Sequence, residues 1–186
     1  MRNDFTAYTS ALREGKTMLY PTDTIWGIGC DATNSFAVNR VFEIKKRPAE
    51  KSMLILVSDI NMLGRYFKNI PDVVFDLEEN SEKPLTYILD NPIGISPEAL
   101  HKDGSLGVRI PKNEFCQRLI KQLGKAIIST SANYYQKPFP IHYKDIEKSI
   151  IDSVDFVVDQ KFVVTNNHLP SSIIKIKNNG EFTIIR

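Results

Sequence analysis

The sequence has few of the residues that build disulfides, metal sites or membrane spans. Its two cysteines, Cys30 and Cys116, are isolated from each other and from the three histidines, so neighbouring positions form neither a C-x-x-C redox pair nor a zinc cluster. We expect reduced core thiols and no metal site. No apolar run approaches the roughly 20 residues of a membrane span, and residues 1–10 lack the apolar segment of a signal peptide. These absences predict a cytoplasmic protein that contacts no membrane.

An excess of charge of one sign is also absent. The 24 Lys and Arg residues against 22 Asp and Glu residues give a net charge of +2, which excludes a strongly basic nucleic-acid coat but leaves local basic patches open. With 42% hydrophobic and 25% charged residues, the 186 residues match ordinary globular usage and can bury one sizeable core. No linker-like change in composition divides the chain, so we expect a single domain over residues 1–186.

Hydrophobic spacing alternates between helical and extended periods. Three predicted helices cover residues 5–15, 34–47 and 113–123; Gly15, Pro48 and Gly124 end them, and Asn34 or Ser35 caps the second. In the second helix we expect four residues to face the core: Phe36, Val41, Phe42 and Ile44. The predicted strands are 17–20, 53–57, 85–89, 106–110, 126–129, 154–158, 173–176 and 182–185. This order predicts an α/β or mixed α+β sheet with helices packed on it.

The common nucleotide-binding and hydrolase signatures are missing. Residues 21–32, PTDTIWGIGCDA, join a predicted strand to a predicted helix, and Gly27 and Gly29 permit close backbone approach, but only G-x-G is present and no P-loop occurs. The segment Thr22-Asp23-Thr24 is equally explained as a turn. There is no G-x-S-x-G motif, and each histidine lies alone in polar surroundings, so we expect three surface residues, namely His101, His142 and His168.

The densest basic cluster lies at residues 40–51, where five basic residues against two acidic ones give a net charge of +3. One interpretation is a solvated helix end favoured by the helix dipole. The alternative is an anion site, because Lys45, Arg47 and Lys51 flank a helix stop and a proline, so their charged groups can converge beyond the helix.

Polar side chains follow the predicted strand at residues 126–128. The segment Ser129-Thr130-Ser131-Ala132-Asn133 either forms a side-chain-stabilised turn or presents ligand-binding groups at the end of a sheet. Trp26 is either a core residue or a stacking platform for a base. Asp23 and Asp31 would suit Mg²⁺ only if the fold brought them together, and the sequence gives no sign that it does.

Taken in order, PTDTIWGIGCDA, FEIKKRPAEKSMLILV, GVRIP, STSAN and PSSII resemble the successive motifs of the YrdC-like threonylcarbamoyl-AMP synthase family, from about Thr17 to Arg186. The family's K-x-R and S-x-N motifs match residues 45–47 and 131–133. The resemblance implies a twisted mixed sheet with a large concave basic cavity. It also identifies the chain with the short form of the family, which has no additional C-terminal domain.

The resemblance implies a nucleotidyltransferase that makes threonylcarbamoyl-AMP and pyrophosphate from L-threonine, bicarbonate and ATP with Mg²⁺. In the family this adenylate feeds the N6-threonylcarbamoyl modification of adenosine 37 in tRNA, and a separate complex performs the transfer. The resemblance assigns ATP contacts to Lys45, Arg47, Lys51, Ser105, Ser131, Asn133 and Arg186, and it makes Lys45 and Arg47 the catalytic residues. It assigns threonine contacts to Thr24, Arg109, Ser129 and Ser171.

The sequence departs from the family pattern at three places. Trp26 replaces a tyrosine, Lys51-Ser52 replaces a Lys-Pro pair, and Ser81-Glu82-Lys83-Pro84 replaces a tryptophan-proline-glycine-proline segment. Two other hypotheses remain beside the synthase. One is a non-catalytic module of the same fold that binds tRNA or double-stranded RNA, and the other is a non-synthase relative of the same fold.

Overall fold

The computed structural model describes residues 2–48, 52–164 and 169–186. Helices and strands are interspersed along the chain. The helices are α1 (Arg2–Arg13), α2 (Ser35–Lys45), α3 (Ile60–Tyr66), α4 (Asp72–Asn80), α5 (Glu114–Leu123) and α6 (Lys148–Ile151). The strands are β1 (Met18–Tyr20), β2 (Gly27–Gly29), β3 (Leu54–Leu56), β4 (Leu85–Leu89), β5 (Leu106–Arg109), β6 (Ile127–Ser131), β7 (Phe156–Val157), β8 (Ser172–Ile176) and β9 (Phe182–Ile184).

The strands of the described residues form one mixed sheet in the order β7-β1-β2-β6-β3-β5-β4-β8-β9. Three neighbouring pairs, β1–β7, β3–β5 and β4–β8, are parallel, and the others are antiparallel. The central strands are buried and rich in Ile, Val and Leu, which is typical of a sheet covered by helices. The predicted mixed α/β fold is confirmed.

Helix boundaries follow local capping chemistry. The side chain of Asn34 accepts a hydrogen bond from the Ala37 backbone N–H, which starts α2, and Asn113 does the same for α5 through the N–H of Cys116. Gly124 ends α5 in the left-handed conformation at φ +78°. Two of these caps, Asn113 and Gly124, coincide with the predicted ends of the third helix.

Three features differ from the expectations. Phe36 is 79% exposed because α2 buries the face of Val38, Val41 and Phe42, and Phe36 lies on the opposite face. Residues 27–29 form a strand and not a loop, since they pair with both β1 and β6. Helices α3 and α4 occupy a stretch for which no element was predicted.

Cys30 and Cys116 are buried free thiols, as expected, and burial raises the pKa of both. Within the described residues, no helix is long and apolar enough to cross a membrane.

Candidate functional site

A cavity of about 350 Å³ lies over one face of the central strands. Alternate residues of a strand point to the same face, so each strand contributes residues two positions apart, such as Ser129 and Ser131 from β6 and Thr86 and Ile88 from β4. The lining comprises Thr22, Thr24, Ile25, Trp26, Gly27, Arg47, Ser52, Met53, Leu54, Thr86, Ile88, His101, Gly107, Arg109, Ser129, Thr130, Ser131, Asn133, Phe139, Pro170, Ser171, Ile173 and Arg186.

The charge of this lining is of one sign. Arg47, just after α2, Arg109, at the end of β5, and Arg186, just after β9, all reach the cavity, and the described lining contains no Asp or Glu. Arginine presents a planar set of donors that matches phosphate and carboxylate oxygens. The cavity is therefore suited to an anionic ligand with more than one charged group.

The end of α2 explains how Lys45 and Arg47 turn inward while Lys46 stays outside. Lys46 adopts a left-handed conformation with φ 49°, and its N–H donates to the carbonyl of Glu43. The exposed Lys46 ammonium lies 4.6 Å from the centre of the Tyr134 ring. A single residue thus redirects the chain between the two inward-facing cations.

Lys45 lies behind the cavity wall and not in its lining, with only 1% of the residue exposed. Its Nζ donates to the backbone carbonyl of Ser131 and, at 2.6 Å, to that of Asn133. Burial, with a smaller contribution from the charge of Arg47, lowers the pKa of Lys45 to about 7. Lys45 therefore fixes the end of β6 from beneath.

Arg47 lines the cavity, and neighbouring groups hold its guanidinium in place. Its Nη2 donates to the carbonyl of Ser52 at 2.6 Å, and its guanidinium lies 5.5 Å from the centre of the Tyr135 ring. Burial lowers the pKa of this guanidinium below its usual value. These contacts hold the planar group against one wall.

The hydroxyl-rich segment after the predicted strand belongs largely to β6, which continues to Ser131. Ser129 accepts a hydrogen bond of 2.7 Å from the buried Tyr20 hydroxyl, and the Asn133 amide nitrogen donates to the carbonyls of Tyr134 and Lys137. The structure places Ser129, Ser131 and Asn133 together in the lining. The placement of these residues favours polar groups presented at the end of a sheet strand over a side-chain-stabilised turn.

The same cavity brings together the residues assigned to threonine. Arg109 is buried and forms an ion pair with Asp23, with 2.5 Å between Nη1 and Oδ1. The hydroxyl oxygens of Thr22 and Thr24 lie 2.9 Å apart, and those of Thr86 and Ser171 lie 2.7 Å apart. All of these residues except Asp23 line the cavity.

Arg186 closes the rim above Ser171. Its Nε and Nη2 both donate to the Ser171 carbonyl, at 3.2 Å and 2.9 Å, and its own carbonyl accepts from the N–H of Ile173. The last residue of the chain is thereby attached to β8 with its guanidinium at the cavity.

Ser105, like Lys45, is assigned to ATP by the resemblance but does not line the cavity. The Ser105 hydroxyl donates to the carboxylate of Asp103 at 2.6 Å, and Ser105 is absent from the lining. Lys51 lies outside the described residues.

The carboxylates considered for Mg²⁺ have separate partners. Asp23 accepts from Arg109 and from the N–H of Lys112, whereas Asp31 accepts from Thr33 and Lys125. Among the described residues, no group of three or more His, Cys, Asp or Glu side chains is arranged to hold a metal ion.

Two ring-bearing side chains, those of Trp26 and His101, line the cavity. Trp26 lines the cavity while only 4% exposed, and its ring lies 5.1 Å from that of Tyr143, so it belongs to the core and to the wall at once. His101 was expected at the surface, but it is half-buried and lines the cavity. His142 is exposed, and His168 lies outside the described residues.

Sequence reasoning missed Thr22, Ser52, Thr86 and His101 as cavity residues. Thr86 carries a usable signal, since it lies two residues before Ile88 on the predicted strand 85–89 and therefore shares its face. Ser52 and His101 carry none, because they are 49 positions apart and meet only through the sheet.

A mixed sheet with arginines and hydroxyls along one cavity defines an α/β protein with a site suited to an anionic ligand. The Sua5/YciO/YrdC family model, described as "Telomere recombination", matches residues 10–186, and the chain belongs to this family.

Curated relatives share one name. The threonylcarbamoyl-AMP synthase of Idiomarina loihiensis is 30% identical over 185 residues, which cover 98% of each chain. The threonylcarbamoyl-AMP synthase of Pseudomonas aeruginosa is 30% identical over 161 residues, covering 85% of this chain and 86% of the relative. These relatives support catalysis over the non-catalytic RNA-binding alternative, and the chain is an enzyme of the nucleotidyltransferase type.

Solved structures agree on the fold. The crystal structure of P. abyssi Sua5 complexed with L-threonine has a TM-score of 0.88 at 25% identity, covering 98% of this chain and 53% of that chain. The crystal structure of E. coli YciO has a TM-score of 0.82 at 22% identity, covering 100% of this chain and 89% of that chain, and this likeness concerns the fold alone.

Proposed function

We propose that the protein joins L-threonine, bicarbonate and ATP into threonylcarbamoyl-AMP and releases pyrophosphate. The observation that carries the proposal is a single cavity in which three arginines face hydroxyl-rich strand ends without any carboxylate in the described lining. The substrates together carry a triphosphate and two carboxylate-type groups, so a ligand set of this charge matches the lining.

The phosphates are assigned to the wall formed by Arg47, Ser131, Asn133 and Arg186. Arg47 and Arg186 neutralise charge, while the serine hydroxyl and the asparagine amide orient oxygens. Lys45 acts from behind this wall by fixing the carbonyls of Ser131 and Asn133. Ser105 is given no phosphate contact, because its hydroxyl donates to Asp103 and it does not line the cavity. Lys51 is kept as a phosphate contact on the resemblance alone.

Threonine is assigned to a second set of residues in the same lining. Arg109 offers a guanidinium to the substrate carboxylate while Asp23 holds its orientation. Thr24, Ser129 and Ser171 provide hydroxyls for the substrate's own hydroxyl and amine.

The chemistry requires no protein nucleophile. The threonine amine and bicarbonate give an N-carboxylate with loss of water, and an oxygen of this carboxylate attacks the α-phosphorus while the bond to pyrophosphate breaks. The chain's residues then contribute positioning and charge neutralisation, the main sources of rate enhancement in phosphoryl-type transfer.

The residues present do not form a protein-held Mg²⁺ site. Mg²⁺ in nucleotide enzymes is bound by one or two carboxylates together with substrate phosphates, and the described lining supplies no carboxylate. In this proposal Mg²⁺ arrives as the counter-ion of the triphosphate, and no step is assigned through it.

We also propose that residues 1–186 act as one domain in the cytoplasm, because one sheet extends across the described chain and both thiols are free. The product would pass to a separate complex that transfers the threonylcarbamoyl group to tRNA.

Pyrophosphate release tests the activity. We expect release only when ATP, L-threonine and bicarbonate are all present, and omission of any one should reduce it to background. Release equal to an ATP-only control, from folded protein, would contradict the proposal.

A further inference from the structure

Ser52 and His101 form a pair in the cavity that the proposed reaction does not use. The Ser52 hydroxyl oxygen lies 2.7 Å from His101 Nε2, and both residues line the cavity. The His101 backbone N–H donates to the carbonyl of Ser105 at 2.8 Å, which fixes the loop that carries the ring.

The pair is joined to Arg47, which the proposed function assigns to the phosphates. Arg47 donates to the backbone carbonyl of Ser52, so a guanidinium, a hydroxyl and an imidazole occupy one stretch of wall. Ser52 is also one of the positions at which the sequence departs from the Lys-Pro pattern of the family it resembles. Proline at this position would have no hydroxyl, so the pairing is a property of this chain.

We propose that Arg47, Ser52 and His101 form a proton-linked phosphate subsite, in which His101 takes up one proton from solvent when a polyphosphate occupies the cavity. This rests on the proposed function, since it specifies how the same cavity holds ATP. A neutral ring accepts the Ser52 O–H at Nε2. A protonated ring has no acceptor, so Nε2–H donates to Ser52 Oγ and the Ser52 O–H turns to a phosphate oxygen.

Charged groups on several elements face His101. Burial lowers the pKa of His101 below its usual value, the positive charges of Lys175 and Arg47 lower it further, and Asp103 acts in the opposite direction. Lys175 on β8 is paired with Asp103 at 2.7 Å, and Arg186 lines the same cavity.

These charges determine whether the affinity for a polyphosphate rises or falls with pH. In the empty cavity, burial and the nearby positive charges disfavour protonation of the ring, whereas a bound polyphosphate adds negative charge and raises the imidazole pKa. A ligand that raises the pKa binds more tightly as pH falls through the pKa of the complex, and the gain levels off below the pKa of the free protein.

Isothermal titration calorimetry with ATP tests the proposal. Affinity is measured at pH 6.0 and pH 8.5, in buffers of different ionisation enthalpy, for wild type, His101→Asn and Ser52→Ala. We expect the gain in wild-type affinity from pH 8.5 to pH 6.0 to exceed that of His101→Asn by about tenfold, the equivalent of one pKa unit. Titration of ATP itself affects every protein equally and cancels in this comparison.

Three further outcomes complete the test. His142→Asn, which removes an exposed imidazole and keeps a residue suited to the helix cap at that position, should titrate like wild type. Ser52→Ala should reduce proton uptake, and this variant decides the matter if His101→Asn does not fold. Equal pH dependence and equal proton uptake in wild type and the folded variants, or no binding of ATP, would overturn the proposal.

The experiments distinguish failure of the phosphate subsite from failure of the proposed synthase activity. Proton-linked ATP binding without threonine-dependent pyrophosphate release would support the subsite and contradict the synthase. Pyrophosphate release with no difference between wild type and His101→Asn in pH dependence or proton uptake would support the synthase and contradict the subsite.

Discussion

At the scale of single residues, the proposed function assigns recognition of the threonine carboxylate to Arg109. It is 3% exposed, its partner Asp23 also binds the N–H of Lys112, and this support fixes the plane of the guanidinium. A lysine can keep the ion pair with Asp23 but lacks the planar pair of donors.

We therefore expect Arg109→Lys to raise KM for threonine about tenfold or more, the equivalent of at least about 1.4 kcal/mol, while KM for ATP stays within about twofold. Steady-state pyrophosphate release at varied threonine measures this effect. Arg118→Lys, an exposed arginine on α5, serves as the control and should be unchanged. An increase confined to KM for ATP would contradict the assignment.

Lys45 gives a prediction about stability. Its folded-state pKa of about 7 lies below the ordinary value of 10.5, so the unfolded chain binds more protons between these pH values and unfolding becomes harder as pH rises.

Relative to Lys45→Met, the wild type should gain about 1–2 kcal/mol in unfolding free energy between pH 7 and pH 9, the same order as one group releasing its proton on folding. Urea denaturation at each pH measures this. A pH-independent difference would mean that the carbonyls of Ser131 and Asn133 keep Lys45 charged.

The sequence could identify site residues that lie in continuous motifs. Arg47, Ser131 and Asn133 line the cavity, as the K-x-R and S-x-N motifs suggest. The hydrogen bonds from Lys45 to two backbone carbonyls could not be predicted. They depend on the left-handed conformation of Lys46 and on the position of β6. The pairing of Ser52 with His101 is likewise created by the fold.

At the scale of elements, the strand β2 depends on close approach between backbones. A Cβ on Gly29 would clash with the carbonyl oxygen of Ile128 and lie 2.9 Å from the Tyr20 ring. Tyr20 lies in β1 and Ile128 lies in β6, and both strands pair with β2. Neither residue can move without disturbing the register of this pairing.

We expect Gly29→Ala to lower the unfolding free energy by at least about 2 kcal/mol, a value typical of steric conflict in a core. Gly64→Ala is the matched control: Gly64 lies in α3 with nothing within 4 Å of an added Cβ, so this change should stabilise by up to about 1 kcal/mol. Thermal or urea denaturation compares the two. Equal effects would show that β2 is not tightly packed.

Elements with strong local signals could be predicted, and those formed by tertiary contact could not. The caps Asn113 and Gly124 fix α5, and strand β4 agrees with the predicted range 85–89. Strand β2 contains two glycines in three residues, which local propensity assigns to a loop, and only its pairing with two neighbours makes it a strand. Helix α4 buries only Val74, so its apolar pattern is weak.

At the scale of the whole molecule, the net charge of +2 gives no indication of the site. The fold distributes charge unevenly, since Arg47, Arg109 and Arg186 reach one cavity whose described lining has no carboxylate. Arg186, the last residue of the chain, completes this cavity through its bonds to Ser171. An ATP-dependent reaction at this sheet face is the central claim.

The most direct test of that claim is mass spectrometry of the nucleotide product formed from ATP, L-threonine and ¹³C-labelled bicarbonate. The account predicts an adenylate that contains threonine and one labelled carbon, formed together with pyrophosphate. An adenylate of threonine without the label, or hydrolysis of ATP with no adenylate, would contradict it.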